Sequence, residues 1–155
     1  MKLRDLLSKN SILIDLKAAD KADCITQMTT YLCSIHNLGN PEKTIAKVLE
    51  RESEMSTGIG FGIAIPHARL PQIDRAYLVA GRCATELNFD AIDESPVRLV
   101  FLLVSPTNTA TEHTMILSSL SRIMVYEDIR QSLCAAATAD AFLQILIAAE
   151  DKYVE

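Results

Sequence analysis

Hydrophobic residues recur along this chain in two patterns, one with a spacing of three to four residues and one nearly continuous. From Asp20 to about His36, apolar side chains stand three and four positions apart, which predicts a helix that buries one stripe. A second helix is predicted from Pro41, because Asn40 is a favourable N-cap and proline suits the first helical position. The first third of the chain is therefore expected to supply two helices.

Short apolar runs predict the strands. The run from Val97 to Val104 is apolar at nearly every position, as expected for a central strand that is covered on both faces. Shorter runs of the same character are 12–16, 63–65 and 76–80. Because proline lacks an N–H group and favours an extended residue before it, the run 63–65 is expected to stop pairing at Pro66.

Helical patterns dominate the last third of the chain. Thr109 and Glu112 fit a capping box, which predicts that a helix begins there. Further helical patterns are 126–137, about 140–149 and a short segment near the start, 3–8. Strands and helices alternate irregularly, so we expect an α/β fold in which a mixed central β-sheet is flanked by helices on both faces.

The composition suits one domain with a buried core. The chain has 155 residues, of which 49% are hydrophobic, and no linker or internal repeat interrupts it, so residues 1–155 are expected to form a single domain. The net charge of -5 argues against nonspecific nucleic-acid binding. No apolar run approaches the roughly 18 residues of a membrane span. Since the N-terminal segment also lacks the apolar region of an export signal, a cytoplasmic location is expected.

The cysteines give no sign of a metal or redox site. They are widely spaced and include no Cys-x-x-Cys pair, which argues against a zinc motif. We interpret them as reduced, mostly buried small hydrophobic residues. The four positions are Cys24, Cys33, Cys83 and Cys134.

The most distinctive stretch, from Ser56 to Arg69, combines alternating glycines with a proline and a histidine. Glycine allows positive φ and lets other groups approach the backbone closely. Pro66 then places His67 directly after a short apolar run, which favours a rigidly held imidazole. Such a histidine can be a nucleophile, a general base, a metal ligand or a residue without chemical function. Arg51 and Arg69 lie near it in the sequence, and glycine-rich backbone with arginines suits an anion such as phosphate.

Residues of this region resemble the enzyme IIA domains of the mannitol–fructose class, which belong to the bacterial phosphoenolpyruvate-dependent phosphotransferase system. The resemblance rests on Glu50-Arg51-Glu52, Ser56-Thr57-Gly58-Ile59-Gly60 and Gly62-Ile63-Ala64-Ile65-Pro66-His67-Ala68-Arg69. It covers about the first 150 residues. The Ser-Thr-Gly-Ile-Gly version is most similar to the stand-alone, nitrogen-related regulatory enzyme IIA.

The resemblance implies a phosphocarrier in which His67 accepts a phosphoryl group through Nε2. His113 then corresponds to the family's second histidine, which orients the acceptor or hydrogen-bonds the phosphate, and Arg51 offsets phosphate charge. From the residues alone, His113 is equally consistent with a histidine packed at a helix start, and Arg51 with a solvated surface ion pair. We expect the two imidazole rings to lie within roughly 8 Å of each other. The segment predicted to surround the phosphate comprises Ser56, Thr57, Gly58, Gly60 and Gly62.

The implied donor is the phosphohistidine of HPr or of its nitrogen-branch relative, and no metal or cofactor is expected. Relatives can self-associate, so a homodimer is compatible with the resemblance. One alternative function is the enzyme IIA component of a fructose or mannitol transporter. Another is a regulatory module that binds proteins without needing phosphoryl transfer. A metal-dependent hydrolase using both histidines and Glu112 is disfavoured, because the sequence has no metal-spacing motif such as His-Glu-x-x-His.

Overall fold

A computed structural model of the chain describes residues 2–154. Within this range the chain forms one six-stranded sheet and helices that pack against it. The strands are β1 (Ile12–Leu16), β2 (Gly58–Gly60), β3 (Ile63–Ala64), β4 (His67–Leu70), β5 (Tyr77–Leu87) and β6 (Val97–Pro106). The helices are α1 (Leu3–Leu6), α2 (Lys21–Ile35), α3 (Pro41–Glu54), α4 (Ala110–Met124), α5 (Glu127–Ala135) and α6 (Ala139–Tyr153), with a 3-10 turn at Lys9–Ser11.

The sheet is mixed and runs in the order β1-β5-β6-β3-β2, with β4 also paired to β6. β6 lies between β5, to which it is antiparallel, and β3 and β4, to which it is parallel. Nearly all of its side chains are buried, which confirms the prediction of a central strand from its continuous apolar run. The mixed sheet of the sequence-based prediction is therefore confirmed.

Pairing does not stop at Pro66, which corrects the sequence-based expectation. Ile63 lies opposite Leu99 in β6, and His67 lies opposite Leu103, so the register is the same before and after the proline. Proline removes an N–H donor but keeps its carbonyl acceptor, and the Pro66 carbonyl accepts a hydrogen bond from the Leu103 N–H at 3.0 Å. His67 therefore begins a strand that is anchored to the centre of the sheet.

Helices cover both faces of the sheet, as predicted. One apolar cluster joins α2 and α3 to one face, with Met28, Leu32 and Val48 completely buried. The other cluster joins the opposite face to α4, α5 and α6, with Leu120 and Phe142 completely buried. Within residues 2–154, no helix has both the length and the apolar character needed to cross a membrane.

Two helices begin with the side-chain cap that the sequence predicts, and a third does not. The Asp20 carboxylate accepts from the Asp23 N–H at 2.8 Å, and the Asn40 side chain accepts from the Glu42 N–H at 2.9 Å, as their capping positions predict. The capping box predicted at Thr109 does not form, although α4 begins there. The Thr109 hydroxyl donates instead to the Pro106 carbonyl at 3.3 Å, and a hydroxyl engaged in this way does not cap the helix.

All four cysteines are free thiols, in agreement with the sequence-based interpretation. Cys24, Cys33 and Cys83 are buried, and Cys134 is half-buried. They contribute apolar packing to the core.

Candidate functional site

His67 is held in one tautomer by the backbone beside it. Its Nδ1 atom lies 2.8 Å from the carbonyl oxygen of Ile65. A carbonyl oxygen only accepts hydrogen bonds, so Nδ1 carries the proton and donates it. In a neutral ring the lone pair is then on Nε2. Because Ile65 and His67 flank the proline, the local chain that forms β4 also fixes the orientation of this imidazole.

The surroundings of His67 favour its neutral form. The side chain is half-buried, and burial is the main cause that lowers its pKa below the ordinary value. The hydrogen bond to Ile65 acts in the opposite direction, and the positive charge of Arg51 lowers the pKa further. A neutral imidazole with a free Nε2 lone pair is the nucleophilic form of histidine.

His113 lies directly beside His67. It is in the first turns of α4, is only 4% exposed, and its ring centroid is 5.1 Å from that of His67, with the two planes at 65°. This geometry confirms the prediction that the rings lie within roughly 8 Å of each other. The Nδ1 atom of His113 hydrogen-bonds the Ser105 hydroxyl near the end of β6.

His113 is also neutral at physiological pH. Burial, followed by the charges of Arg69, His67 and Arg51, lowers its pKa to about 4. The His113 imidazole therefore interacts with a bound anion through a hydrogen bond and not through a positive charge. The fixed positive charges of the site belong to other residues.

Two guanidinium groups lie near the histidines. Arg51, close to the end of α3, donates from Nη1 to the Met55 carbonyl at 2.9 Å. Arg69 lies two residues after His67 on β4, and side chains two apart on a strand point to the same face. In the part of the chain that the structure describes, neither arginine forms an ion pair with a carboxylate, although Glu50 and Glu54 line the same pocket. The surface ion pair considered for Arg51 therefore does not form.

The histidines and arginines line one open pocket of about 450 Å³. An imidazole nucleophile, a second imidazole and two guanidinium groups around one opening suit the binding of a doubly charged phosphoryl group. The residues that line the pocket are Lys47, Glu50, Arg51, Glu54, His67, Ala68, Arg69, His113 and Leu117.

The glycine-rich segment lies outside this lining. Gly58 packs against Ala91, and Gly60 packs against Asp93, in the connection between β5 and β6. Gly60 and Gly62 have φ of +96° and +79°, which explains why glycine stands at the two ends of this tight hairpin turn. Ser56 donates its hydroxyl proton to the Phe89 carbonyl. The structure thus gives these residues contacts that build the hairpin, and their predicted role around the phosphate stays a prediction.

Glu52 has a structural role that the sequence analysis did not predict, although the residue is part of the motif that carries the family resemblance. Its buried carboxylate accepts from the Thr57 N–H at 2.9 Å and from the Thr57 hydroxyl at 2.5 Å, and it pairs with Lys21 at 2.8 Å. This carboxylate ties the end of α3, where Arg51 lies, to the start of the hairpin. Its spacing of four from Val48 was the available signal, since both positions fall on the buried stripe of the helix.

The structure gives two other residues, Arg69 and Ser105, a defined position at the site. Arg69 was noted in the sequence as a neighbour of His67, and its spacing of two on a strand is the signal that it shares the same face. Ser105 ends an apolar strand and carried no sequence signal. Within residues 2–154, the structure contains no group of three or more His, Cys, Asp or Glu side chains that could hold a metal ion.

Comparison with known families and curated proteins gives a consistent result. Residues 5–149 match the family described as phosphoenolpyruvate-dependent sugar phosphotransferase system, EIIA 2. The chain is 30% identical over 147 residues to a nitrogen regulatory protein of Bradyrhizobium diazoefficiens, covering 94% of this chain and 95% of that protein. It is 33% identical over 146 residues to the fructose-specific EIIABC component of Bacillus subtilis, covering 94% of this chain. In that second case the chain spans only 23% of the relative's length.

Solved structures show the same fold. The nitrogen regulatory protein IIA-Ntr of Neisseria meningitidis superposes with a TM-score of 0.86 at 29% identity, covering 92% of this chain and 97% of that one. The mannitol IIA of Escherichia coli superposes with a TM-score of 0.77 at 22% identity, covering 90% and 98%. At that lower identity the likeness concerns the fold.

Proposed function

The chain belongs to the enzyme IIA type 2 family of the phosphoenolpyruvate-dependent sugar phosphotransferase system, and on that premise we propose that it carries a phosphoryl group on Nε2 of His67. The phosphocarrier role is that of the family. The observation that supports this particular atom is the hydrogen bond from Nδ1 of His67 to the Ile65 carbonyl. It leaves Nε2 as the nucleophilic nitrogen in the pocket that Arg51 and Arg69 also line.

The transfer step needs no metal, water or general base. The Nε2 lone pair of His67 attacks the phosphorus of a donor phosphohistidine, an Nε2–P bond forms, and the donor N–P bond breaks with its electron pair returning to the donor imidazole. The proton on Nδ1 stays in place. The product ring carries a formal positive charge, which the Ile65 carbonyl offsets through its hydrogen bond. A protonated leaving ring keeps the new bond labile for the next transfer.

The surrounding groups stabilise charge on the three phosphoryl oxygens. Arg51 and Arg69 supply two guanidinium groups that are not engaged in an ion pair among the described residues. His113 is close enough to His67 for its Nε2 to reach an oxygen of the same phosphoryl group. These hydrogen-bond donors are already in position when charge develops in the transition state. Such preorganised donors supply most of the rate enhancement in sites of this kind.

The donor we propose is the phosphohistidine of HPr or of its nitrogen-branch relative, in the cytoplasm. The phosphorylation state of His67 would then regulate a partner protein. Similarity to nitrogen regulatory proteins over the whole length of such a relative supports the regulatory version of this role. Phosphorylation adds about two negative charges to the pocket, and the partner is expected to distinguish the two states by this change in surface charge.

Phosphorylation by a reconstituted donor chain tests the proposal. Intact-protein mass spectrometry should show one acid-labile phosphoryl group on the wild-type chain, and none on His67→Gln. His36→Gln is the matched control, because His36 lies at the C-terminal end of α2 and does not line the pocket. Full phosphorylation of His67→Gln would overturn the assignment.

A second candidate function is the enzyme IIA component of a fructose transporter. It is favoured by the 33% identity to part of the fructose-specific EIIABC component of Bacillus subtilis. Transfer from the phosphorylated chain to an isolated enzyme IIB domain of the fructose class separates the two roles. Rapid transfer supports the transporter role, whereas retention of the phosphoryl group supports the regulator.

A further inference from the structure

The two imidazoles of the pocket have opposite partners at Nδ1. His67 faces a backbone carbonyl, and His113 faces the Ser105 hydroxyl. We propose that Ser105 is a positioning residue that sets the tautomer of His113, so that His113 presents an N–H group to the phosphoryl oxygens. This inference rests on the proposed function for its catalytic consequence, but the tautomer itself is a property of the unphosphorylated chain.

The direction of the hydrogen bond follows from the burial of the hydroxyl. Ser105 lies in β6 and is 0% exposed. Within the described part of the chain, its hydroxyl has no hydrogen-bond partner other than Nδ1 of His113. If Nδ1 carried a proton and donated it, the hydroxyl proton would remain in the core without an acceptor, which is costly. The satisfied arrangement has the hydroxyl donating to Nδ1, and the ring proton then lies on Nε2.

This tautomer gives His113 the function that the pocket needs. An Nε2–H group donates to a phosphoryl oxygen, whereas a bare Nε2 would present a lone pair to an anion and repel it. The ring does this while neutral, in agreement with the low pKa that its burial produces. Ser105 therefore makes a hydrogen-bond donor of a buried imidazole that does not take up a proton at neutral pH.

The same bond separates the two histidines chemically. An imidazole with a free Nε2 lone pair can itself accept a phosphoryl group. The Ile65 carbonyl leaves that lone pair on His67, and the Ser105 hydroxyl removes it from His113 by placing the proton on Nε2. Two identical side chains with centroids 5.1 Å apart thus act as acceptor and donor, because a carbonyl and a hydroxyl select opposite tautomers.

Nitrogen-15 NMR of the imidazole nitrogens tests the tautomer directly in the unphosphorylated wild-type chain at pH 7. We expect His113 as the Nε2–H tautomer and His67 as the Nδ1–H tautomer. In Ser105→Ala, which keeps the backbone and removes only the hydroxyl, the His113 signals should move toward a mixture of both tautomers. Ser11→Ala is the matched control, because Ser11 is also buried but its hydroxyl contacts Ser8 and not His113, and it should leave the His113 signals unchanged.

Kinetics with the phosphorylated donor give the functional measurement. Ser105→Ala should slow transfer at saturating donor by about tenfold, the effect of one hydrogen bond on a barrier, and leave the donor's apparent affinity unchanged. Ser105→Thr, which keeps the hydroxyl, should restore the Nε2–H tautomer. A purely structural role for Ser105 would change stability but neither the tautomer nor the rate at saturation.

The outcomes separate this inference from the proposed function. His113 found as the Nδ1–H tautomer in the wild-type chain would overturn the inference even if His67 is phosphorylated normally. An unchanged tautomer and rate in Ser105→Ala would also overturn it. Failure of the wild-type chain to accept a phosphoryl group would instead overturn the proposed function, while the NMR result would still decide which tautomer Ser105 selects.

Discussion

The imidazole rings of His67 and His113 meet edge to face, with centroids 5.1 Å apart and planes at 65°. One ring comes from the start of a strand and the other from the first turns of a helix, and each is fixed at Nδ1 by a separate hydrogen bond. Both Nε2 atoms remain available to one small group in the pocket. This relationship underlies the predictions about phosphoryl transfer and about pH.

Replacing either guanidinium should slow phosphorylation without unfolding the chain. In Arg51→Gln or Arg69→Gln, transfer to His67 should fall by about 10 to 100-fold, because one preorganised cation is lost from the phosphoryl oxygens. Rapid-quench measurement of phosphoprotein formation checks this. Arg75→Gln is the control, since Arg75 is exposed and does not line the pocket. If all three variants are phosphorylated at the same rate, Arg51 and Arg69 do not act in phosphoryl transfer.

The folded chain should lose stability on acidification because of His113. Its pKa is about 4 in the folded state and about 6.5 in an unfolded chain. Between these values the unfolded state binds a proton that the folded state does not, so stability falls as pH falls. The full difference is about 3 kcal/mol.

Urea unfolding at pH 7 and at pH 4.5 measures this effect. His113→Gln should show a smaller loss on acidification than the wild-type chain, because glutamine does not titrate and the carboxylates titrate alike in both proteins. The same loss in both proteins would show that His113 is protonated in the folded state as easily as in the unfolded one.

The buried carboxylate of Glu52 should be important for stability. Glu52→Gln removes its charge from Lys21 and weakens two hydrogen bonds to Thr57. We expect a loss of about 2 kcal/mol, below the usual cost of breaking a buried ion pair because Lys21 can still reach solvent. Thermal unfolding checks this, and hydrogen exchange should show faster exchange in the 57–64 hairpin. Glu86→Gln, at an exposed position of β5, should be neutral by comparison.

The glycine-rich segment can be tested by comparing two glycines with nearly equal φ. Gly62 and Gly39 have φ of +79° and +80°, so an alanine at either position should cost about 1 to 2 kcal/mol. Gly39 lies in the connection between α2 and α3. Because Gly62 does not line the pocket, we expect both variants to be phosphorylated at the wild-type rate. A selective loss of rate in Gly62→Ala would support the predicted role of this segment around the phosphate.

Local features of the sequence predicted much of the fold. Asp20 and Asn40 mark the starts of α2 and α3 because a side-chain cap needs only residues two or three positions away. The apolar run of β6 identified the central strand. Two expectations that were wrong concern Pro66 and Thr109, where a bond to another element or an alternative local acceptor decided the outcome.

The sequence by itself determined the main helices and the central strand β6, and it singled out His67 through the motif around it, whereas β2 and β4 were not predicted. Only the tertiary structure decided that Arg69 lines the pocket, that Glu52 holds Thr57, and that Ser105 meets His113. The physical reason is range. Capping and hydrophobic periodicity act over a few residues, whereas the partner of a buried polar group depends on strand register and helix packing. Those contacts chose the tautomers, and the tautomers give the two histidines different chemistry.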